Sequence, residues 1–251
     1  MSNNFYDKVA KKFGGYHTPS RHTTEYPDGE PEKVFKDKLL ELSSKDKIAL
    51  DVGCADGRFT LSIAPSFQKI VAIDMSEEML KSAKRLQEEQ KNTNVSFEKQ
   101  DAYAITYPDA YFDAVYNRRG PDNYVESYRL SKPNGCFIQI DIGEKDCQEI
   151  KEVFGRGQGF GKWNSSKLER DKKELKKAGF KVLYAQDFFY TEYYPTYEDL
   201  DLFLQGVPIF EDFDSEKDKK LLEAYVTKFK TEKGIKFPRH RVVTVARKSL
   251  G

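Results

Sequence analysis

Only three cysteines occur in the 251-residue chain, at positions 54, 136 and 147. An odd number without metal-type spacing provides neither a disulfide framework nor a zinc knuckle, and a reducing compartment is expected. Net charge is equally scarce. Lys and Arg number 42 against 41 Asp and Glu, leaving +1, so no global field draws the chain onto a polyanion or an anionic membrane. Nucleic acid loses ground as a partner, although a local basic patch stays open. Long apolar runs are missing too. Nowhere do 18 apolar residues follow one another, and the opening MSNNFYDKVAKKFGG has no hydrophobic segment of signal-peptide length, so a cytoplasmic protein with no membrane partner is expected. There is no internal repeat and no low-complexity tract.

What is present is enough to fold. Aromatic residues make up 14% and apolar residues 38% of the chain, too much for a disordered segment, and the length suits one large α/β domain. Phe5, Val9 and Phe13 predict a short amphipathic helix, and Phe35, Leu39 and Leu42 a second one, separated by the turn-rich GGYHTPSRHTTEYPDGEP. The stretches KIALDVG, KIVAID, VSFEKQ, FDAVYN and GCFIQIDIG then read as strands. Helical patterns lie between most of them. The clearest spans 76–90, with Ser76 as cap, Glu77 and Glu78 in the first turn, and Met79, Leu80, Ala83 and Leu86 on one face. Such alternation predicts a doubly wound, mostly parallel sheet with helices on both faces. The division expected is an N-terminal helical cap over 1–46, a sheet core over 47–190 and 239–251, and a lid-like helical insertion over 191–238, all in one domain.

The turn ALDVGCADGRFTL carries the chemistry. In an open α/β sheet the first strand-to-helix turn is the usual ligand cradle, and glycine permits both positive φ and close approach. Here the spacing is G-x-x-x-G rather than the G-x-G-x-x-G of a dinucleotide site. Asp51 and Asp56 flank it, and carboxylates repel a pyrophosphate but suit an ammonium and a sulfonium. Asp74 ends the second strand, where a carboxylate accepts from ribose hydroxyls. Asp101 ends the third, where it can meet the exocyclic amine of adenine, with the Ala102 amide facing the ring.

LDVGCADGRFTL, VAIDMSEEML, QDAYAITYPDAYFDAVYN and YRLSKPNGCFI together resemble the motif series of the class I S-adenosylmethionine (SAM)-dependent methyltransferases, in particular the small "type 11" group, over roughly residues 47–143. The resemblance implies a seven-stranded sheet whose last strand, RHRVVTVARK, is antiparallel. It implies SAM as cofactor, with Asp51, Gly53, Cys54, Ala55 and Gly57 around the methionine moiety, Asp74 and Met75 at the ribose, Asp101 and Ala102 at the adenine, and Asn117 at the inner edge. Ala55 departs from the family, which usually has a middle glycine there.

The acceptor is less legible. Methyl transfer from a sulfonium needs chiefly alignment and water exclusion. NRRGPDNY matches an Asn/Asp-Pro-Pro-aromatic base-gripping motif only at Asn117, and no Pro-Cys dipeptide is present, so base methylation is disfavoured. A small-molecule acceptor is expected, with RNA methylation or SAM sensing without turnover as alternatives. Arg118 and Arg119, joined by Arg156, are candidates to clamp an anionic acceptor; pairing of the first two with Asp122 or Glu126 is the competing reading. His17 and His22 are candidate proton acceptors, and His240 is expected to be structural. The run FFYTEYYPTY, six aromatics in ten residues, reads as sheet core, with a pocket wall or a stacking platform as alternatives.

Overall fold

The computed structural model describes residues 3–249. Helix α1 (Asn3–Phe13), strand β1 (Thr23–Glu25) and helix α2 (Pro31–Glu41) lead into an alternating series: β2 (Ile48–Val52), α3 (Arg58–Ile63), β3 (Lys69–Asp74), α4 (Glu77–Glu89), β4 (Val95–Lys99), β5 (Phe112–Arg118), α5 (Tyr124–Leu130) and β6 (Ser131–Ile142). After these come α6 (Gln148–Phe154), α7 (Lys167–Ala178), β7 (Phe180–Tyr194), α8 (Tyr197–Gly206), α9 (Lys219–Phe229), β8 (Lys230–Thr231) and β9 (Gly234–Lys248). Helix α4 starts where its cap signal predicts, the Ser76 hydroxyl accepting from the Met79 amide at 3.1 Å, which satisfies one orphan donor of the first turn.

Among the described residues the sheet has nine strands in place of the seven expected, in the order β1-β7-β9-β6-β5-β2-β3-β4, with β8 paired to β9 off this path. The two additions are short. Three-residue β1 lies antiparallel on the free edge of β7, covering backbone groups that would otherwise be an open edge, and two-residue β8 folds back on β9. Strand β9 runs antiparallel to β6 and β7, as expected of the last strand, while β2 to β6 are parallel to one another.

The β7–β9 ladder continues to Tyr194↔Ile235. Residues 191–194 and 234–238 therefore belong to the sheet, and the excursion between the two strands covers 195–233. Alternation sustains this length: Phe188, Tyr190, Glu192 and Tyr194 are buried while Phe189 is exposed, so the aromatic run is a two-faced strand with one face in the core.

Two apolar layers flank the sheet. Phe35, Leu39, Leu61, Leu80 and Ala83 pack α2, α3 and α4 on one side; Tyr124, Leu130 and Leu175 pack α5 and α7 on the other. A third cluster, including Phe154, Leu200, Phe210, Leu222 and Phe237, seats α8 and α9 against α6 and the hairpin. Helix α1 lies on α4 through Phe5, Val9, Ala10 and Met79.

Candidate active site

Strand order reverses at β2, which has β3 on one side and β5 on the other. At that point the turn after β2 is pinned by the Gly53 and Cys54 amides, which donate to the Ile73 carbonyl at 2.9 and 3.0 Å. Gly53 has φ +79°, and Gly57, ahead of α3, has φ +70°. A Cβ on Gly57 would stand 2.6 Å from the Phe97 ring. Gly57→Ala is thus expected to destabilise the fold by about 3 kcal/mol, left-handed strain and overpacking acting together, read as a lowered urea midpoint with unchanged slope. Ala55 also adopts a left-handed backbone, φ +46°, the conformation a glycine would take freely in its place.

Four polar side chains stand at the ends of four adjacent strands: Asn117 on β5, Asp51 on β2, Asp74 on β3 and, two residues past β4, Asp101. Asp51 is buried and accepts from the Thr60 hydroxyl at 2.6 Å. Burial raises its pKa to about 6, against the opposing hydrogen bond from Thr60. Asp74 accepts from the Ala55 and Ser76 amides, both at 2.9 Å, and burial raises its pKa as well. Asn117 is fully buried; its amide nitrogen donates to the Pro121 carbonyl at 3.2 Å, while its Oδ1 has no partner among the described residues. Buried acceptors are rarely left unpaired, so this oxygen marks a place for a donor. Asp101 is exposed and holds its own turn through the Tyr103 amide at 2.9 Å. Ala102 beside it is partly buried, Met75 is exposed, and the Cys54 thiol is pushed far up by burial and stays neutral.

The structure uses Asp56 differently from Asp51. Its carboxylate accepts from the Tyr16 amide at 2.8 Å and from Arg58 at 2.9 Å, tying the N-terminal segment to the turn. That segment continues along the insertion, where Ser20 donates to the Asp199 carbonyl at 2.6 Å and Arg21 pairs with the Asp199 carboxylate at 3.2 Å.

The arginines find partners other than those expected from sequence. Arg118 and Arg119 both bind Glu32 at the start of α2, Arg118 at 3.0 Å, and Arg118 lies 4.3 Å over the Phe59 ring. Burial opposes ionisation of Glu32, but the two guanidinium groups hold its pKa down at about 2. Asp122 instead meets Lys167 at 3.0 Å, and Glu126 meets Arg129 at 2.6 Å. Arg156 pairs with Asp212 and Asp218 in the insertion. His17 is exposed beside Arg58, 3.2 Å from it, and His22 stacks at a tilt on Tyr194, 5.3 Å between centroids. His240 is buried, 2.9 Å from Asp187 and stacked on Phe189. The strand-end row thus gathers Asp51, Asp74 and Asn117 with the glycine turn; the histidines and Arg156 hold positions of their own.

Sequence reasoning passed over Tyr6 and Tyr16, whose rings meet at 5.6 Å, and the buried set Asp146, Glu192, Arg239 and Arg241. One signal was available: arginines two residues apart at the start of RHRVVTVARK share a strand face with Val243 and Val245, both buried.

A methyltransferase-domain family model matches residues 43–179, more than half of the chain. The demethylmenaquinone methyltransferase of Lactococcus lactis is 29% identical over 115 residues, 42% of this chain and 46% of that protein. The uncharacterized methyltransferase YcgJ of Bacillus subtilis is 26% identical over 125 residues, 44% of this chain and 49% of that one. The chain spans about half the length of these relatives. The solved structure of YcgJ superposes with a TM-score of 0.64 at 16% identity over 87% of this chain and 100% of that one. A functionally unknown protein of Deinococcus radiodurans superposes at 0.65 with 18% identity over 98% and 99%. At these identities the superpositions establish the fold.

Proposed function

We propose a function from one premise: this chain belongs to the class I SAM-dependent methyltransferase family, in its small type 11 group. It transfers a methyl group from SAM to a small-molecule acceptor by in-line displacement. Bound SAM supplies an electrophilic methyl on a sulfonium; the chain supplies alignment and exclusion of water. Asp51 and the free Oδ1 of Asn117 take the ammonium end, the Gly53–Gly57 turn with Cys54 and Ala55 lets the methionine moiety approach the backbone, Asp74 with Met75 takes the ribose, and Asp101 with the Ala102 amide takes the adenine. The N-terminal segment and the insertion act as lid, held by the Tyr16–Asp56 and Arg21–Asp199 contacts. The observation that carries this reading is the row of Asn117, Asp51, Asp74 and Asp101 across four neighbouring strand ends.

Calorimetry with SAM and S-adenosylhomocysteine tests it. Absence of binding by either at millimolar concentration overturns the reading, and binding without release of S-adenosylhomocysteine in a cell extract leaves a sensor instead of an enzyme. An RNA substrate finds less support, because Arg118, Arg119 and Arg156 are paired with carboxylates of the chain itself.

Asp51 adds a pH signature. A cationic ligand needs its ionised form, and burial keeps the unliganded carboxyl protonated below about 6. SAM affinity is therefore expected to fall about tenfold per unit as the pH drops below that value. Linkage to folding has the opposite sign: with its folded pKa raised, Asp51 contributes stability that is fully present below its ordinary value of ~4 and is lost as pH rises through about 6. Titrations at pH 7, 6 and 5 separate the two trends.

A further inference from the structure

Strand β9 carries two arginines in the protein interior. Arg239 and Arg241 are both nearly inaccessible, as is the Asp146 carboxylate between them. Asp146 Oδ1 accepts from Arg239 Nε at 3.0 Å, Arg241 Nη1 at 2.6 Å and the His240 amide at 2.9 Å. Arg239 Nη1 also donates to Glu192 at 2.7 Å, and Lys151 donates to the Asp146 carbonyl at 2.7 Å. Three buried cations thus face two buried carboxylates. Arg241 shows where the imbalance lies, since its Nε is buried and has no acceptor among the described residues.

The position is the right one for a substrate group. Arg241 pairs with Ile142, the last residue of β6, at the same sheet edge as the Asn117–Asp51–Asp74 row. Tyr16 links the two regions: its amide is on Asp56 of the turn, its ring packs on Tyr6 at 5.6 Å, and its hydroxyl is within electrostatic reach of Arg119, Arg241, Arg239 and Arg118, whose charges favour an anion there. Arg118 and Arg119 are already shared by Glu32 and are about a quarter exposed, so water screens them more than the buried pair.

We propose, resting on the methyl-transfer reading above, that the acceptor is a small carboxylic acid whose carboxylate is received by Arg241 Nε with the Tyr16 hydroxyl. The local excess is one positive charge, which a monoanion neutralises and a phosphate dianion overshoots. A planar carboxylate also matches the guanidinium edge. Tyr190, its ring centroid 6.0 Å from the Arg241 guanidinium, gives the surroundings an aromatic face.

The test uses the full chain saturated with S-adenosylhomocysteine and three probes: benzoate, its neutral isostere benzamide, and inorganic phosphate. Benzoate is expected to bind in the millimolar range, at least tenfold more tightly than benzamide or phosphate. Arg241→Gln and Tyr16→Phe are each expected to weaken benzoate about tenfold or more while S-adenosylhomocysteine still binds. Equal binding of benzoate and benzamide, tighter binding of phosphate, or no benzoate binding at 50 mM overturns the proposal. Undiminished benzoate binding in either variant does so as well. If Arg241→Gln does not fold, Tyr16→Phe and the wild-type probe series decide. Loss of S-adenosylhomocysteine binding by the wild type is a separate result, which overturns the methyl-transfer reading itself.

Discussion

Asp74→Ala is expected to raise the dissociation constant for SAM about 100-fold. A carboxylate accepting from two ribose hydroxyls makes charge-assisted hydrogen bonds of roughly 1.5–3 kcal/mol each, and the loss of about 3 kcal/mol is a factor on the order of 100. The substitution also frees the Ala55 and Ser76 amides, which the two Asp74 oxygens now hold, so the turn loses part of its pre-organisation before any ligand arrives. Asp74→Asn separates these contributions. Its amide oxygen still accepts from one backbone amide, and an intermediate loss of about tenfold is expected. Calorimetry gives the affinities and a thermal melt without ligand gives the cost to the fold. Unchanged affinity in Asp74→Ala would remove this residue from the cofactor site.

The second large effect concerns folding. Asp146→Ala leaves Arg239 and Arg241 buried with their shared carboxylate gone, and breaking a buried ion pair on one side costs about 3–5 kcal/mol. Against a typical domain stability of about 5–15 kcal/mol, this brings the variant to the edge of unfolding, visible as a collapsed urea midpoint and poor soluble yield. The wild type carries the matching acid sensitivity. Burial opposes ionisation of Asp146, but Arg239 and Arg241 hold its pKa far below the usual carboxylate range. Its contribution is therefore fully present above the unfolded value of ~4 and drains away as pH falls below it. Asp51 has the reverse sign, so a stability profile between pH 7 and 3 is the sum of one group that gains on acidification and one that loses.

Periodicity and steric limits act over a few residues, and the features they control could be read directly from the chain. The capped start of α4 at Ser76, the glycine turn and the alternation of β2 to β6 all rest on contacts within about one helical turn or one strand. Strand-end placement of Asp51, Asp74 and Asn117 follows from the same logic, since parallel strands linked by crossovers must present their carboxyl ends on one edge. The short strands β1 and β8 escaped notice because three and two residues carry no periodic signal; they exist only because the β7–β9 hairpin offers an edge and a turn to pair with.

Charge pairing follows another rule. Glu32 captures Arg118 and Arg119 from 86 and 87 residues away, and Asp146 meets Arg239 across 93, while the nearby Asp122 and Glu126 are taken by Lys167 and Arg129. Buried charges are satisfied by whichever counter-charge folding delivers, because the cost of desolvation is met by geometry in space, whatever the distance along the chain. Local order, the parallel sheet and the identity of the strand-end carboxylates were therefore already present in the residues. Which arginines stand ready for an outside anion, and which are already matched, depended on how distant segments closed over one another.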